Sequence, residues 1–231
     1  MVHMIHTWLA RGREVASGRG RLGLSIAAIV SVALGLSLAI SGQSKTVSPP
    51  VSAPSPKSAA PVEDGQLYRN AGIGFRYQIP YGWVDRTREM QEGNDANKAK
   101  VLLAVFERPP DATGTGINSA VLIASENVSS YPGLKKAEDY LEPLTELAAA
   151  KGFKADGEPY ALEVESRQVV RADFVKPLAG ASSETLTMHQ CTLVLLAKSQ
   201  IVSFTFIAGS DDELDDLMDG LHFATAKSSA R

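Results

Sequence analysis

The stretch IGFRYQIPYGWV, residues 73–84, gives the clearest indication of how this chain folds. Phe75, Tyr77 and Ile79 alternate with Arg76 and Gln78. Because the side chains of a β-strand point alternately to its two faces, the apolar residues share one face and the polar residues share the other. The stretch therefore begins as a short strand with one face in the core.

A turn is expected after this strand, because Pro80 lacks the backbone N–H that a sheet ladder needs. Gly82 allows the chain to bend sharply, and Trp83 then supplies a large apolar side chain. Trp83 is expected to fill the gap between sheet and helix, whereas Tyr81 is expected to be exposed in the turn. Both are weak candidates for contact with a ligand or partner, and Tyr81 is the better one.

The segment from residue 68 to residue 83 resembles the opening of the PsbP-like superfamily, an aromatic residue and an asparagine before a Gly-Phe-x-Phe-x-x-Pro-x-x-Trp pattern. The matching residues are Tyr68, Asn70, Gly74, Phe75, Tyr77, Pro80 and Trp83. The superfamily includes a photosystem subunit, DcrB-like bacterial envelope proteins and a nuclear-import factor. The resemblance implies an antiparallel β-sheet with helices packed against it, from about residue 67 to residue 224. Such a motif specifies a fold far better than a function.

Charge is distributed unevenly along the 231 residues. Residues 1–41 contain four arginines and one glutamate, a net charge of +3, whereas residues 63–231 contain 17 basic and 25 acidic residues, a net charge of −8. Binding of nucleic acid without sequence preference needs a positive surface. The acidic part of the chain is therefore not expected to bind nucleic acid.

An uncharged run, residues 22–40, follows the basic segment 1–21. In a helix it would be about 28 Å long, close to the hydrocarbon thickness of a bilayer. Arginines before the run predict that the N-terminus stays in the cytoplasm and that the rest of the chain crosses the membrane. Cleavage after Ala39-Ile40-Ser41 would instead make residues 22–41 a signal peptide, but the length of the run favours a retained anchor.

Residues 42–62 are rich in proline, serine and alanine, a composition that cannot form a core. They are expected to be a disordered linker that holds the domain away from the membrane. The domain itself is predicted to span residues 63–231. No lipid anchor is predicted because no cysteine lies near residue 41, and the single Cys191 excludes an internal disulfide.

Later segments predict an α+β order of antiparallel strands with one helix in the middle and one at the end. Apolar runs at residues 101–106 and 120–124 suit strands covered on both faces. A helix is predicted over residues 134–151, with a kink or break at Pro143 and a C-terminal cap at Gly152. Hairpins are predicted around Glu165-Ser166-Arg167 and around Lys198-Ser199.

The acidic cluster at residues 211–219 contains potential calcium ligands, but its pattern is not that of a calcium loop. A calcium loop needs alternating oxygen ligands and a bending glycine, and this cluster has no such glycine. Ser210 and Glu213 instead form the sequence pattern of a capping box, and acidic residues stabilise a first helical turn. The closing helix is expected to turn Leu214, Leu217 and Leu221 inward.

No residue pattern indicates catalysis, a metal site or a cofactor. His189 and Cys191 are two residues apart on a predicted strand. Two ligands are too few for a zinc site, and side chains at this spacing are poorly placed to form a nucleophilic pair. His222 is expected to cap the C-terminus of the closing helix. The preferred hypothesis is therefore a non-enzymatic, membrane-tethered domain outside the cytoplasm that binds a protein partner or small ligand. The alternative is a hydrolase or metal-dependent enzyme whose site is assembled only in the fold.

Overall fold

A computed structural model describes residues 66–92, 99–109, 112, 116–179 and 185–224. The basic segment, the apolar run 22–40 and the linker 42–62 lie outside these ranges, and so does the turn expected at residues 93–95. The described part contains three α-helices and two short 3₁₀ segments. The helices are α1 (Thr87–Glu92), α2 (Leu141–Ala150) and α3 (Asp211–Asp219), and the 3₁₀ segments are Val128–Ser130 and Ala137–Tyr140.

Eleven strands account for about half of the described residues. They are β1 (Leu67–Asn70), β2 (Phe75–Gln78), β3 (Val84–Asp85), β4 (Ala99–Phe106), β5 (Ala120–Asn127), β6 (Lys154–Ala155), β7 (Tyr160–Val164), β8 (Arg167–Ala179), β9 (Thr185–Ala197), β10 (Gln200–Ala208) and β11 (Leu221–Phe223). Every pairing between them is antiparallel. The domain is therefore α+β with antiparallel sheets.

The strands form a large sheet and a small one. The eight-stranded sheet has the order β3-β4-β5-β10-β9-β8-β6, and β7 also pairs with β8. The three-stranded sheet has the order β1-β2-β11, so a strand near the end of the domain completes a hairpin near its start. The strands expected at residues 101–106 and 120–124 are buried on both faces, as their continuous apolar sequences predict.

Each face of the large sheet carries a separate apolar cluster. One cluster joins it to the three-stranded sheet and to α3 through Phe75, Tyr77, Phe204 and Leu214. The other cluster joins the opposite face to α1 and α2, and it includes Met90, Tyr140, Leu144 and Phe174. The large sheet is thus a central layer covered on both sides, which explains why its middle strands lack a solvent-exposed face.

Helix α2 begins later than its apolar spacing predicts. The α-helix starts at Leu141 rather than at residue 134, after the 3₁₀ segment. Pro143 is its third residue, in the first turn, where backbone N–H groups have no partner inside the helix. Proline therefore breaks no hydrogen bond here, and the helix continues through Pro143 without the break that was offered as an alternative to a kink. The predicted cap at Gly152 is confirmed by its φ of 82° and by its N–H, which donates to Ala149.

Helix α3 begins as predicted and ends earlier. The Ser210 hydroxyl accepts from the Glu213 N–H at 3.3 Å, which confirms the N-cap. The Glu213 carboxylate, however, accepts from the Gly209 N–H at 3.0 Å rather than from Ser210. The helix ends at Asp219, and Gly220 leads into β11. Leu221 is buried as expected, but as a strand residue.

A buried carboxylate fastens the segment after β5 to the large sheet. Glu126 is only 4% exposed, and its two oxygens accept 2.6 Å hydrogen bonds from the Tyr131 and Tyr140 hydroxyls. The two tyrosine rings meet edge to face at 5.1 Å. Burial raises the pKa of Glu126, while the two hydrogen bonds act in the opposite direction.

Candidate functional site

The outer face of the three-stranded sheet carries a row of basic residues. Arg69 on β1 lies opposite Arg76 on β2, and Arg76 lies opposite His222 on β11. Residues that face each other across antiparallel strands project to the same side of the sheet. The strand pairing therefore places three basic side chains side by side, at neighbouring positions on three strands.

Arg69, Arg76 and the nearby Arg167 differ from the other arginines of the described ranges. Each of the other four has a carboxylate within 4.0 Å; they are Arg86, Arg88, Arg108 and Arg171. Arg69, Arg76 and Arg167 have no such ion pair with a described residue, and Arg69 and Arg76 are exposed. Because like charges placed opposite each other weaken a sheet, stability alone does not explain their position.

The turn between β7 and β8 brings a carboxylate to this row. Glu165 and Ser166 have φ values of 44° and 72°, the left-handed pair of a two-residue hairpin turn. Glu165 Oε1 lies 2.8 Å from His222 Nδ1, and Glu165 Oε2 accepts from the Phe223 N–H at 2.7 Å. These two contacts, with a smaller contribution from Arg76, lower the pKa of Glu165. The carboxylate is therefore ionised at neutral pH.

Arg69, Arg76 and Glu165 line an open groove of about 1150 Å³. Its lining comprises Arg69, Asn70, Ala71, Gly74, Phe75, Arg76, Glu165, Ser166, Phe223 and Ala224. We call it the cationic groove. Gly74 has a φ of 89°, and a Cβ at this position would lie 3.4 Å from the Arg167 guanidinium. Glycine suits this position because it adopts a positive φ without strain and leaves room for the Arg167 side chain.

The floor of the cationic groove is rigid because it is continuous with the core. Phe75 and Phe223 are 4% and 5% exposed, and both rings contact Phe204 edge to face. Guanidinium groups above such a floor offer several N–H donors in a planar fork, which fits carboxylate or phosphate oxygens. The arrangement is chemically suited to holding an anion.

The two contact candidates taken from the sequence lie elsewhere. Tyr81 is 78% exposed in the turn after β2, and Trp83 is 8% exposed in the cluster between the two sheets. Neither side chain lines the cationic groove. Their part in binding stays a prediction.

His222 does not cap a helix, contrary to the expectation from its place after the apolar spacing of α3. It lies in β11 and contacts Glu165. Arg69, Arg76, Arg167 and Glu165 were not recognised as site residues from the sequence. A basic residue inside each strand of a short hairpin was the available indication, but the third strand comes from the far end of the domain.

His189 and Cys191 lie on β9 beside α3. His189 Nδ1 lies 2.8 Å from Asp211 Oδ1, although the two groups are not aligned for a hydrogen bond. Cys191 is fully buried, and burial raises the pKa of its thiol, so the reactive thiolate is disfavoured. Within the described ranges, no three His, Cys, Asp or Glu side chains are grouped to hold a metal ion. No described helix is long and apolar enough to span a bilayer.

Comparison with known proteins finds similarity only among solved structures. No protein-family model matches the chain, and no curated protein matches it. Similar structures include the cyanobacterial PsbP of Synechocystis sp. PCC 6803, with 13% identity, a TM-score of 0.46, and coverage of 68% of this chain and 91% of that one. The Ran-binding protein Mog1p of Saccharomyces cerevisiae has 9% identity and a TM-score of 0.41, with coverage of 71% and 97%.

A third similar structure is LpqN of Mycobacterium tuberculosis, described as involved in cell envelope biogenesis. It has 14% identity and a TM-score of 0.34, and the match covers 70% of this chain and 83% of LpqN. One of these similar structures is a PsbP protein, and the segment from residue 68 to residue 83 resembles the opening of the PsbP-like superfamily.

Proposed function

We propose that this chain is a non-enzymatic accessory protein that binds a protein partner or small ligand through the cationic groove. Residues 22–40 anchor it in the cell membrane, and the domain 63–231 stands outside the cytoplasm on the linker 42–62. The basic segment before the apolar run supports this orientation, and the proline-rich linker supports a domain held away from the bilayer.

One observation carries the binding proposal. Arg69 and Arg76 line an open groove, and the Arg167 guanidinium lies beside Gly74 in that lining. None of the three has a described ion-pair partner, although the domain around them has a net charge of −8. Unpaired guanidinium groups on a rigid floor are ready to form charge-assisted hydrogen bonds with an incoming anion. They also attract an anionic partner locally, where the rest of the surface repels it.

Photo-crosslinking of the full-length protein in its native host tests this surface. A photoreactive phenylalanine analogue replaces Ser166, in the groove, or Lys154, which is exposed on β6. We expect a light-dependent adduct from position 166 and a weaker or different one from position 154. The double variant R69E/R76E is expected to lose the adduct at position 166, because it reverses the charge of the row.

The matched control is R88E/K100E, which changes the net charge equally at two exposed positions outside the groove. It is expected to keep the adduct. An adduct that survives R69E/R76E, or disappears equally in both double variants, would contradict binding through the groove. The anchor is tested separately by N-terminal sequencing and a salt wash of membranes. A mature chain that begins near Gly42 would overturn the tether and leave the groove proposal standing.

A further inference from the structure

We infer that the ligand of the cationic groove is an acidic peptide segment and that Glu165 is an internal competitor that occupies part of its binding site. This inference rests on the proposed binding function and names the chemical class of its ligand. It depends on the contacts of Glu165, on the length of the basic row and on the charge of the surrounding domain.

Glu165 shows how a carboxylate fits this site. One of its oxygens accepts from the Phe223 backbone N–H at 2.7 Å, and the other lies 2.8 Å from the His222 imidazole. Both contacts come from β11, the strand that also lines the groove. A carboxylate from a partner would find the same two groups if the Glu165 side chain turned toward solvent, where its turn is already exposed.

The basic row is longer than one anionic group. Arg69, Arg76 and His222 lie on three neighbouring strands, and two strand spacings amount to roughly 10 Å. A single carboxylate or phosphate can contact only part of that length. In an extended peptide, alternate side chains share one face and are about 7 Å apart. Two glutamate or aspartate side chains at such a spacing would both reach basic partners in the row.

The surroundings favour a short segment over a long polyanion. The domain as a whole is acidic, with a net charge of −8 over residues 63–231. A nucleic acid would extend beyond the groove onto repelling surface, whereas a short acidic segment of a protein would not. The groove volume of about 1150 Å³ accommodates several residues of such a segment.

Glu165 also weakens the field of the row. Its carboxylate is ionised, and it interacts with Arg76 as well as with His222. E165Q removes this negative charge, so a peptide carboxylate no longer competes with a charged group for Arg76 and His222. Interactions between exposed charges of this kind change affinity by about threefold. An E165Q variant should therefore bind an acidic peptide about three times more tightly than the natural chain.

The test uses the full-length protein in phosphatidylcholine nanodiscs and fluorescence anisotropy with a labelled hexaglutamate peptide. We expect saturable binding that added salt weakens, a loss of at least about tenfold in R69E/R76E, and the gain in E165Q. The control E163Q removes an exposed carboxylate from the same hairpin outside the groove and should change affinity much less. If E165Q folds poorly by circular dichroism, Ser166→Asp adds a carboxylate in the groove and should weaken binding about threefold.

Other outcomes separate the inference from the proposed function. Equal binding of a peptide with glutamine at every position, or weaker binding by E165Q, would overturn the inference. If inorganic phosphate, or vesicles of equal parts phosphatidylcholine and phosphatidylglycerol, bound through Arg69 and Arg76 while hexaglutamate did not, the ligand class would be wrong and the binding function would stand. If no probe bound and the crosslinks did not depend on these arginines, the proposed function itself would fail.

Discussion

The Tyr140 hydroxyl donates a 2.6 Å hydrogen bond to Glu126 Oε1 inside the domain. Tyr140 is 1% exposed and stands at the junction between the second 3₁₀ segment and α2. Glu126 lies near the end of β5 and also accepts from Tyr131. Through these two hydrogen bonds, the Glu126 carboxylate attaches the segment that contains Tyr131 and Tyr140 to this face of the sheet.

Glu126→Ala is expected to destabilise the domain by about 2–4 kcal/mol. The substitution leaves the buried Tyr140 hydroxyl without an acceptor, and such an unsatisfied group costs about 1–3 kcal/mol, to which lost packing adds. Urea unfolding followed by circular dichroism measures the change in free energy of unfolding. Glu146→Ala on the exposed side of α2 is the control and should stay within about 0.5 kcal/mol. Equal effects of the two substitutions would contradict a structural role of the Glu126 contacts.

The same residue should make stability depend on pH. Burial raises the pKa of Glu126, so the folded state holds this proton more tightly than the unfolded chain. The resulting contribution to stability is fully present below the unfolded pKa and is lost as pH rises through the raised folded value. From about pH 4 upward, the natural chain should therefore lose free energy of unfolding relative to Glu126→Gln. A difference between the two that does not vary with pH would show that the carboxylate is not perturbed.

Trp83 and Tyr81 should respond very differently to replacement by alanine. Trp83 is 8% exposed between the two sheets, so Trp83→Ala should cost about 3–5 kcal/mol. Tyr81 is 78% exposed, so Tyr81→Ala should change stability by less than about 0.5 kcal/mol. Thermal and urea unfolding measure both. A large loss in Tyr81→Ala would place that ring in the packing and would remove it as a free contact residue.

A side chain at Gly220 should destabilise the domain. A Cβ there would lie 3.0 Å from the Gln78 carbonyl oxygen and 3.1 Å from the Tyr77 ring. Gly220→Ala therefore forces α3 and β11 away from β2 and is expected to cost about 1–3 kcal/mol. Gly116→Ala is the matched control because nothing lies within 4 Å of its Cβ. Hydrogen exchange at the Tyr77 and Gln78 amides should accelerate in the first variant and not in the second.

Local features of this fold were predictable from the sequence where one segment carries the whole pattern. The alternation of residues 75–79 identified β2, and Ser210 identified the start of α3. The alternating segments on either side of Glu165-Ser166-Arg167 identified a hairpin. Each depends on backbone or side-chain preferences within a few residues. Such preferences do not depend on which distant segments pack against the sheet, so they can be recognised from the sequence alone.

The candidate site could not be predicted in the same way, because it is made by pairing between distant strands. His222 follows Leu214, Leu217 and Leu221, whose spacing continues a helix pattern, but the chain enters a three-residue strand after Gly220. The alternation of Leu-His-Phe in this strand is too short to be recognised from the sequence, and the strand is defined by its pairing with β2. The row of Arg69, Arg76 and His222 is thus a property of strand register, which single-segment patterns do not contain.

The place of β11 has a consequence for the order in which the protein is made. Residues 221–223 pair with residues 75–77, so the three-stranded sheet joins a late part of the chain to an early one. During synthesis, the hairpin β1–β2 emerges long before the strand that completes it. A nascent or truncated chain that lacks residues 221–223 therefore has Arg69 and Arg76 but neither His222 nor the Phe223 N–H. The cationic groove therefore has its full lining only after residues 221–223 have been made and have paired with β2.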